Sequence, residues 1–254
     1  ECTLSGPKLK LLIDQQIVVT GAKMQVKINN EIVPHDTVID VDAGSTIEIQ
    51  SNNCGCRCYV AFSNDMEATN FLGSVSTYEP GKLGGINGRA LKKGGSIGFN
   101  SLDTNLIKSS QGTSQQYDNS WLIRVTEGPE FKRLSSHAKD NIENIEYVIS
   151  NDSNRMGIRL EGPRLAINES GDMISGPVFT GTIQCPENGL PILLGPDAQT
   201  LGGYPRIFQV AKTDRTLIGQ MRPGDQLKFQ RISIEEAEKL WLDRVLSFPF
   251  LSKI

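Results

Sequence analysis

The chain has 254 residues, of which 38% are hydrophobic and 22% are charged, and its formal net charge is -3. This composition is typical of a soluble globular protein that can bury one large core or two smaller ones, and it excludes a disordered chain. The apolar runs are far shorter than the roughly 20 residues that a membrane helix needs. The sequence contains no cluster of basic residues that would suit binding to the phosphate backbone of a nucleic acid. We therefore expect neither a membrane nor a nucleic-acid partner.

Alternation of apolar and polar residues between turn-forming residues predicts that the chain is mainly β. The predicted strands are 16–20, 24–28, 46–50, 58–62, 96–99, 121–125, 147–150, 158–160, 192–194, 206–211 and 226–229.

Two helices are predicted in the second half of the chain. One runs from about Ser136 into the 140s, and the other follows Ser233. The Ser233 hydroxyl can cap that helix, and Glu236 stands three residues later, as in a capping box. An apolar stripe on this helix favours packing against the core; it consists of Ile234, Ala237, Trp241 and Val245.

A weak internal repeat indicates two related units. Residues 4–9 (LSGPKL) are similar to residues 160–165 (LEGPRL), and glycine-containing turns precede alternating segments within 42–49, 92–99 and 222–229. Repeated patterns of this kind indicate repeated structure. We predict one β-barrel-like unit over residues 1–110 and a second over residues 120–254, separated by the polar stretch 101–119.

Three of the five cysteines, Cys54, Cys56 and Cys58, alternate in what we predict to be a strand. An extended strand would put their side chains on one face and separate successive sulfurs by about 6.5 to 7 Å, too far apart to close around one zinc ion. We therefore expect no metal site and reduced thiols, which favours a cytoplasmic protein.

Several common catalytic centres are excluded by residue counts. His35 and His137 are the only histidines, so a histidine-rich metal centre and an HExxH protease are excluded. No GxxxxGK[ST] motif is present to bind ATP phosphates. The glycine-rich stretch 81–88 does not match the dinucleotide fingerprint, and we interpret it as a loop.

Residues 181–205 are the most specialised segment, because Gly, Pro and side-chain amides are concentrated there around the predicted strand 192–194. Four polar side chains flank this strand: Gln184, Asp197, Gln199 and Thr200. Gly202 and Gly203, followed by Tyr204, permit a backbone path that is closed to other residues. We interpret the segment as a recognition site for an amide-like or ureido-like ligand. The alternative is that the glycines only form turns and the amides bond to neighbouring backbone.

Sequence motifs in both halves resemble those of the biotin-dependent carboxyltransferase family, the group of the 5-oxoprolinase C subunit, KipA and allophanate hydrolase subunit 2. They lie at 55–59, 72–78, 84–85, 88–91, 153–163, 181–186, 189–192, 197–205 and 220–224. The resemblance covers nearly the whole chain. It departs from the family at Asn64-Asp65, where a Gly-Gly pair is usual, and at Val75, where an Arg is usual.

The resemblance implies a fold of two cyclophilin-like β-barrel units with a few helices. It places a Gln-Asp-Leu-Gly-type stretch of the family upstream of residue 1. It implies one subunit of a carboxyltransferase or an ATP-dependent 5-oxoprolinase complex that acts on an amide such as 5-oxoproline, urea or allophanate. Biotin is then carried on a partner protein, and the complex uses ATP.

The implied partners are a KipI-like protein (the 5-oxoprolinase B subunit) and a LamB-type A subunit or a biotin carrier protein. Two alternatives follow from the family and the barrel type. One is a non-enzymatic regulatory protein that antagonises a KipI-like kinase inhibitor. The other, a prolyl isomerase, is weaker because fold alone does not fix function and none of that family's motifs occurs.

Carboxyl transfer from carboxybiotin needs hydrogen-bond donors that stabilise the negative charge developing on the ureido oxygen. It also needs groups that position the acceptor nitrogen of the substrate. We assign catalytic roles to Asp197, Gln199 and Tyr204, with Asp197 orienting the acceptor or taking a proton. Substrate-binding roles are assigned to Arg159, Gln184, Thr200, Gly202, Gly203 and Gln220. The alternatives are turn formation for the glycines, strand-end hydrogen bonding for Gln199 and Thr200, and an ion pair of Arg159 with a neighbour such as Glu161.

Overall fold

The computed structural model describes residues 1–100, 115–168 and 173–248. It divides into two compact units, Glu1–Gln116 and Tyr117–Ile254, called unit 1 and unit 2 below. The predicted mainly β fold is confirmed, and unit 2 contains a closed barrel. Most of the predicted boundary stretch 101–119 lies outside the described residues, so the predicted limits of the units stay a prediction.

Unit 1 is built from two four-stranded antiparallel sheets. In unit 1 the strands are β1 (Cys2–Thr3), β2 (Lys8–Lys10), β3 (Gln15–Gly21), β4 (Val26–Ile28), β5 (Glu31–Ile32), β6 (Ile39–Val41), β7 (Thr46–Ile49) and β8 (Arg57–Phe62). One sheet has the order β1-β8-β3-β6 and the other β2-β7-β4-β5. Their inward side chains form one core because alternate residues of a strand share a face; it includes Ile17, Val19, Val26, Ile47 and Ile49.

The predicted strand 96–99 is wrong for the described structure. Only Phe99 pairs there, in an isolated bridge with Met66. An alternating pattern shows which side chains would share a face of a strand, but it does not show whether another strand pairs with the backbone.

The cysteine prediction is also wrong in part. Only Cys58 lies in β8, because a turn at Gly55, with φ of 74°, separates Cys54 from Cys56 and ends the extended run. Cys58 instead stands opposite Cys2 of β1. All five cysteines are free thiols. Within the described ranges, no three His, Cys, Asp or Glu side chains are placed to hold a metal ion.

Unit 2 is organised around a closed seven-stranded barrel with the order β10-β11-β14-β13-β16-β9-β17. Its strands are β9 (Ser120–Glu127), β10 (Tyr147–Ile149), β11 (Gly157–Glu161), β12 (Gly176–Pro177), β13 (Thr182–Gln184), β14 (Ile192–Leu194), β15 (Leu201–Gly202), β16 (Arg206–Val210) and β17 (Gln226–Arg231). β9 and β17 run parallel and the other barrel pairs are antiparallel. β12 and β15 form a separate two-stranded ribbon.

The barrel core is filled by the inward-facing side chains of these strands. Phe208 packs between Phe131 and Phe229, with ring centroids 5.2 Å and 5.6 Å away. Ile183 and Leu193 are fully buried in the same cluster. Side chains at the alternate positions therefore face outward, and this outer face carries the candidate site described below.

The helices are short except for the last one. They are α1 (Ser136–Asn141), α2 (Arg215–Ile218) and α3 (Ile234–Ser247), with 3-10 turns at Glu79–Gly81, Phe131–Arg133, Ile142–Asn144 and Lys212–Asp214. The predicted cap of α3 is confirmed, since the Glu236 N–H donates to the Ser233 hydroxyl at 3.1 Å. No helix in the described ranges is long and apolar enough to cross a membrane.

The prediction that α3 packs into the core is wrong. None of its residues is buried, and Ile234 is 63% exposed. Trp241 instead lies beneath Lys212, whose Nζ is 4.0 Å from the ring centroid. Helical periodicity shows that one face is apolar but not which surface covers it.

Candidate functional site

Gln184, at the end of β13, is the centre of a hydrogen-bonded group that we call the amide cluster: Gln184, Gln199, Gly202 and the Tyr204 carbonyl. Gln184 is 1% exposed, although it faces outward from the barrel. Its Nε2 donates to the Tyr204 carbonyl at 3.1 Å, and its Oε1 accepts from Gln199 Nε2 at 3.4 Å. The predicted recognition segment therefore folds back over its own first strand and buries this amide.

Gly202 lets the chain approach the Gln184 amide closely. A Cβ at Gly202 would lie 2.5 Å from Gln184 Nε2, closer than van der Waals contact allows. Gly202 belongs to β15 and pairs with Gly176 of β12, so the ribbon holds it over the amide. A Cβ at Gly203 would have Ser175 Oγ as its nearest neighbour, 3.6 Å away. The expectation that both glycines are needed for the backbone path is thus wrong for Gly203.

Asp197 is bound by Arg155, which the sequence did not single out as a site residue. Arg155 Nε and Nη2 donate to the two Asp197 carboxylate oxygens at 2.8 Å and 3.1 Å. The Asp197 N–H also donates to the Arg155 carbonyl at 3.1 Å. A bidentate pair of this kind fixes both partners geometrically. Asp197 thereby anchors the loop that leads to Gln199.

Arg159 shares a row with the amide cluster. The barrel register pairs Arg159 of β11 with Ile192 of β14, Ile192 with Gln184 of β13, and Gln184 with Arg206 of β16. Neighbouring strands are about 4.8 Å apart, so Arg159 lies two strands, roughly 10 Å, from Gln184. Its side chain is exposed. The alternative ion pair with Glu161 is absent from the described structure.

The other predicted residues occupy different positions around this row. Thr200 is exposed, and its carbonyl accepts from the Val178 N–H at 2.9 Å. The Tyr204 side chain is 49% exposed. Gln220 is buried after α2, outside the strands and the loop that carry the amide cluster, and its N–H donates to the Leu217 carbonyl at 2.8 Å.

Arg206, at the end of the row, is held in place by Glu130. Its Nε and Nη2 donate to Glu130 at 2.8 Å and 2.7 Å, and its Nη1 donates to the Pro177 carbonyl at 3.0 Å. The Arg206 hydrogen bonds hold the pKa of Glu130 below its usual value. Arg206 thus ties the barrel to the β12–β15 ribbon. In the sequence, Arg206 could have been identified as a site residue because it directly follows Tyr204 and Pro205. Nothing in that run indicated Glu130 as its partner.

A cavity of about 110 Å³ lies beside Arg206, on the outer side of the barrel. It is lined by apolar and polar residues; they include Pro129, Pro177, Phe179, Thr182, Arg206, Phe208 and Gln209. Phe179 is 55% exposed. Large aromatic side chains usually bury most of their surface, so this cavity presents an apolar wall that a flat ring can cover.

Comparison with known proteins agrees with this architecture. The family model of the carboxyltransferase domain, subdomains A and B, matches residues 1–231. The 5-oxoprolinase C subunit of Escherichia coli is 30% identical over 254 residues, 99% of this chain and 81% of that protein. The Haemophilus influenzae 5-oxoprolinase C subunit is 29% identical over 94% of this chain and 77% of that protein.

Larger proteins contain a similar region. The urea amidolyase of Saccharomyces cerevisiae is 28% identical over 94% of this chain, which spans 14% of that protein. The crystal structure of the Kluyveromyces lactis urea carboxylase superposes with a TM-score of 0.85 at 26% identity, over 96% of this chain and 24% of that chain. With a family match over most of its length, this chain belongs to the carboxyltransferase domain family, subdomains A and B.

Proposed function

We propose that this chain is one subunit of an enzyme complex that acts on an amide substrate, with 5-oxoproline as the preferred candidate. The observation that carries the proposal is the amide cluster, in which the buried amide of Gln184 accepts a hydrogen bond from the exposed amide of Gln199. The near full-length similarity to the 5-oxoprolinase C subunit from two bacteria supports this choice over urea, whose amidolyase relatives are several times longer.

The amide cluster suits a ligand that carries both a carbonyl and an N–H group. Gln184 uses its Nε2 and Oε1 within the cluster, so it is a positioning residue. Gln199 is exposed and keeps its own Oε1 and a second N–H for a ligand. The Gly203 N–H has no hydrogen-bond acceptor among the described residues and is a candidate donor to negative charge on the ligand.

Asp197 has the role of orienting the loop in this proposal. Both of its oxygens accept hydrogen bonds from Arg155, which fixes the orientation of the carboxylate in the loop. Of the two roles considered for Asp197, orientation is thus favoured. Tyr204, with its half-exposed side chain, and Thr200 remain proposed ligand contacts, as do Arg159 and Gln220.

Biotin is the cofactor implied by the family, and the same groups fit it. Its ureido ring presents one carbonyl and N–H groups, which match the exposed amide of Gln199 and the N–H of Gly203. Carried on a partner protein, biotin would supply the carboxyl group for transfer. We propose that ATP is bound elsewhere in the complex, since this chain has no standard phosphate-binding loop.

Reconstitution tests the proposal. The chain is co-expressed with a KipI-like protein and a LamB-type protein, and ATP-dependent release of glutamate from 5-oxoproline is measured. A parallel reaction with a biotin carboxylase and a biotin carrier protein measures carboxylation of urea. We expect turnover of 5-oxoproline that requires all the subunits.

Two variants connect the activity to the amide cluster. Gln199→Ala should lower turnover at least about tenfold, roughly 1.4 kcal/mol of transition-state stabilisation. Gln230→Ala, an exposed glutamine on β17, is the matched control and should keep full activity. Equal activity of the two variants would place the site elsewhere. If the reconstituted proteins turn over urea but not 5-oxoproline, the proposed substrate is wrong.

A further inference from the structure

Arg215, the first residue of α2, is half-buried, and it differs from the other half-buried arginines that bind a carboxylate around the barrel. Four such pairs are Arg124 with Asp214, Arg155 with Asp197, Arg206 with Glu130 and Arg231 with Glu143. Arg215 has no ion pair with any residue in 1–100, 115–168 or 173–248, and its buried Nε lacks a hydrogen-bond partner there. The preceding Asp214 does not compensate, because Arg124 binds its carboxylate through Nε at 3.0 Å and through Nη2.

The surroundings of Arg215 are those of the cavity beside Arg206. Its Cζ is 5.7 Å from the centre of the Phe179 ring. A Cβ at Gly181 would lie 3.6 Å from Arg215 Nε and 2.8 Å from Gln209 Nε2, so the absent side chain leaves open the space next to both groups. Phe179 and Gln209 both line the cavity. Arg215 therefore lies next to Phe179 and close to Gln209 at the edge of the cavity, although it is not one of the residues that line it.

An unpaired guanidinium in this position is costly. Burial lowers the pKa of Arg215, and no neighbouring charge counters that effect. The contact with Phe179, at 5.7 Å, is near the outer limit of about 6 Å for a cation–π interaction and is therefore weak. A contact at that distance offsets little of the cost of leaving a half-buried charge without a partner. A bound anion would remove the imbalance.

We propose that Arg215 binds the carboxylate of the substrate, whose ring lies against Phe179 in the adjacent cavity. A guanidinium binds a carboxylate through two parallel hydrogen bonds, which fixes orientation as well as charge. This inference rests on the proposed function and narrows it: Arg215 selects a ring amide that bears a carboxylate, such as 5-oxoproline, over a neutral amide such as urea. Arg215 is then a specificity-determining residue for the substrate in the cavity, and the amide cluster is left to the ureido ring of biotin.

Equilibrium binding tests the inference without turnover. The two probes are 5-oxoproline and 2-pyrrolidinone, which has the same lactam ring without the carboxylate. Affinities are measured by calorimetry and by saturation-transfer NMR, for the chain alone and with its KipI-like partner. The proteins are the wild type, Arg215→Gln, Arg215→Lys and the control Arg164→Gln, which removes the same charge from an exposed position on unit 2.

The wild type and Arg164→Gln should bind 5-oxoproline at least about tenfold more tightly than 2-pyrrolidinone. Arg215→Gln should lose this preference. Arg215→Lys should keep only part of it, because lysine keeps the positive charge but cannot bind a carboxylate bidentately. The melting temperature of Arg215→Gln should not fall, since the substitution removes a half-buried charge that has no ion pair among the described residues.

Three results would overturn the inference. In the first, the wild type binds the two lactams equally, or binds neither of them saturably in either preparation. In the second, Arg215→Gln keeps the preference for 5-oxoproline. In the third, both Arg215 variants lose much of their stability, which would indicate a structural role for Arg215. A complex that turns over no amide but keeps the Arg215-dependent preference would support the carboxylate site and refute the proposed reaction.

Discussion

Replacing Gln184 with leucine should separate the structural part of the amide cluster from its exposed part. Leucine is close to glutamine in size, so the change leaves no large cavity. The main loss is the hydrogen bond from Nε2 to the Tyr204 carbonyl at 3.1 Å, which leaves that carbonyl without its partner at a site where Gln184 is 1% exposed. A buried group left unsatisfied in this way costs about 1–3 kcal/mol.

The exposed partner of the same pair provides the control. Gln199 donates to Gln184 at 3.4 Å, but its side chain is exposed and can bond to water instead. Gln199→Leu should therefore change the free energy of unfolding by less than about 0.5 kcal/mol. For a domain of this size, 1 kcal/mol corresponds to about 2–4 °C in melting temperature. The two variants should differ clearly in a thermal melt.

Thermal and urea denaturation of the wild type and both variants measure these values, and the reconstituted complex measures turnover. We expect Gln184→Leu to lose both stability and turnover, and Gln199→Leu to lose turnover alone. Wild-type stability in Gln184→Leu would show that the Tyr204 carbonyl finds another donor. Equal destabilisation by the two substitutions would show that the amide pair is one structural unit without an exposed, ligand-facing half.

Two further predictions concern the ribbon and the ion pair that hold the site. Gly202→Ala should destabilise unit 2, because its Cβ would lie 2.5 Å from Gln184 Nε2, whereas Gly203→Ala meets no atom nearer than 3.6 Å and should leave the melting temperature nearly unchanged; similar melts of the two variants would contradict the close approach. The Glu130 carboxylate, whose pKa is lowered by its hydrogen bonds to Arg206, should stabilise the fold above its unfolded pKa of about 4.3 and lose that contribution as the pH falls through the lower folded value. Denaturation from pH 7 to pH 3 should show the stability difference between wild type and Glu130→Gln shrinking on acidification, and a constant difference would refute this linkage.

Local features of the fold followed from the sequence. The hydroxyl of Ser233 caps α3, and the alternating segments around Ile17 and Ile123 are strands with buried inner faces, as predicted. These features depend on residues within a few positions of one another, where backbone geometry alone decides which side chains share a face. The predicted strand at 96–99 is wrong because a strand also needs a partner strand, which the local alternation of residues does not reveal.

The residue types of the site also followed from the sequence, but its arrangement did not. Crowding of Gly, Pro and amides identified the segment 181–205. The tertiary structure decided that Gln184 is buried and holds the Tyr204 carbonyl 20 residues away, that Asp197 binds Arg155 across 42 residues, and that Arg206 binds Glu130 across 76.

Arg215 shows why such contacts are hidden in a sequence. Its formal charge is visible in the chain, but its lack of a partner is a property of the folded barrel, which places Phe179 and Gly181 beside it and directs Asp214 to Arg124. Sequence determines which groups are available and their local conformation. Burial and pairing between distant strands determine which charges are neutralised, because the cost of an unpaired charge arises only when the fold removes water from it.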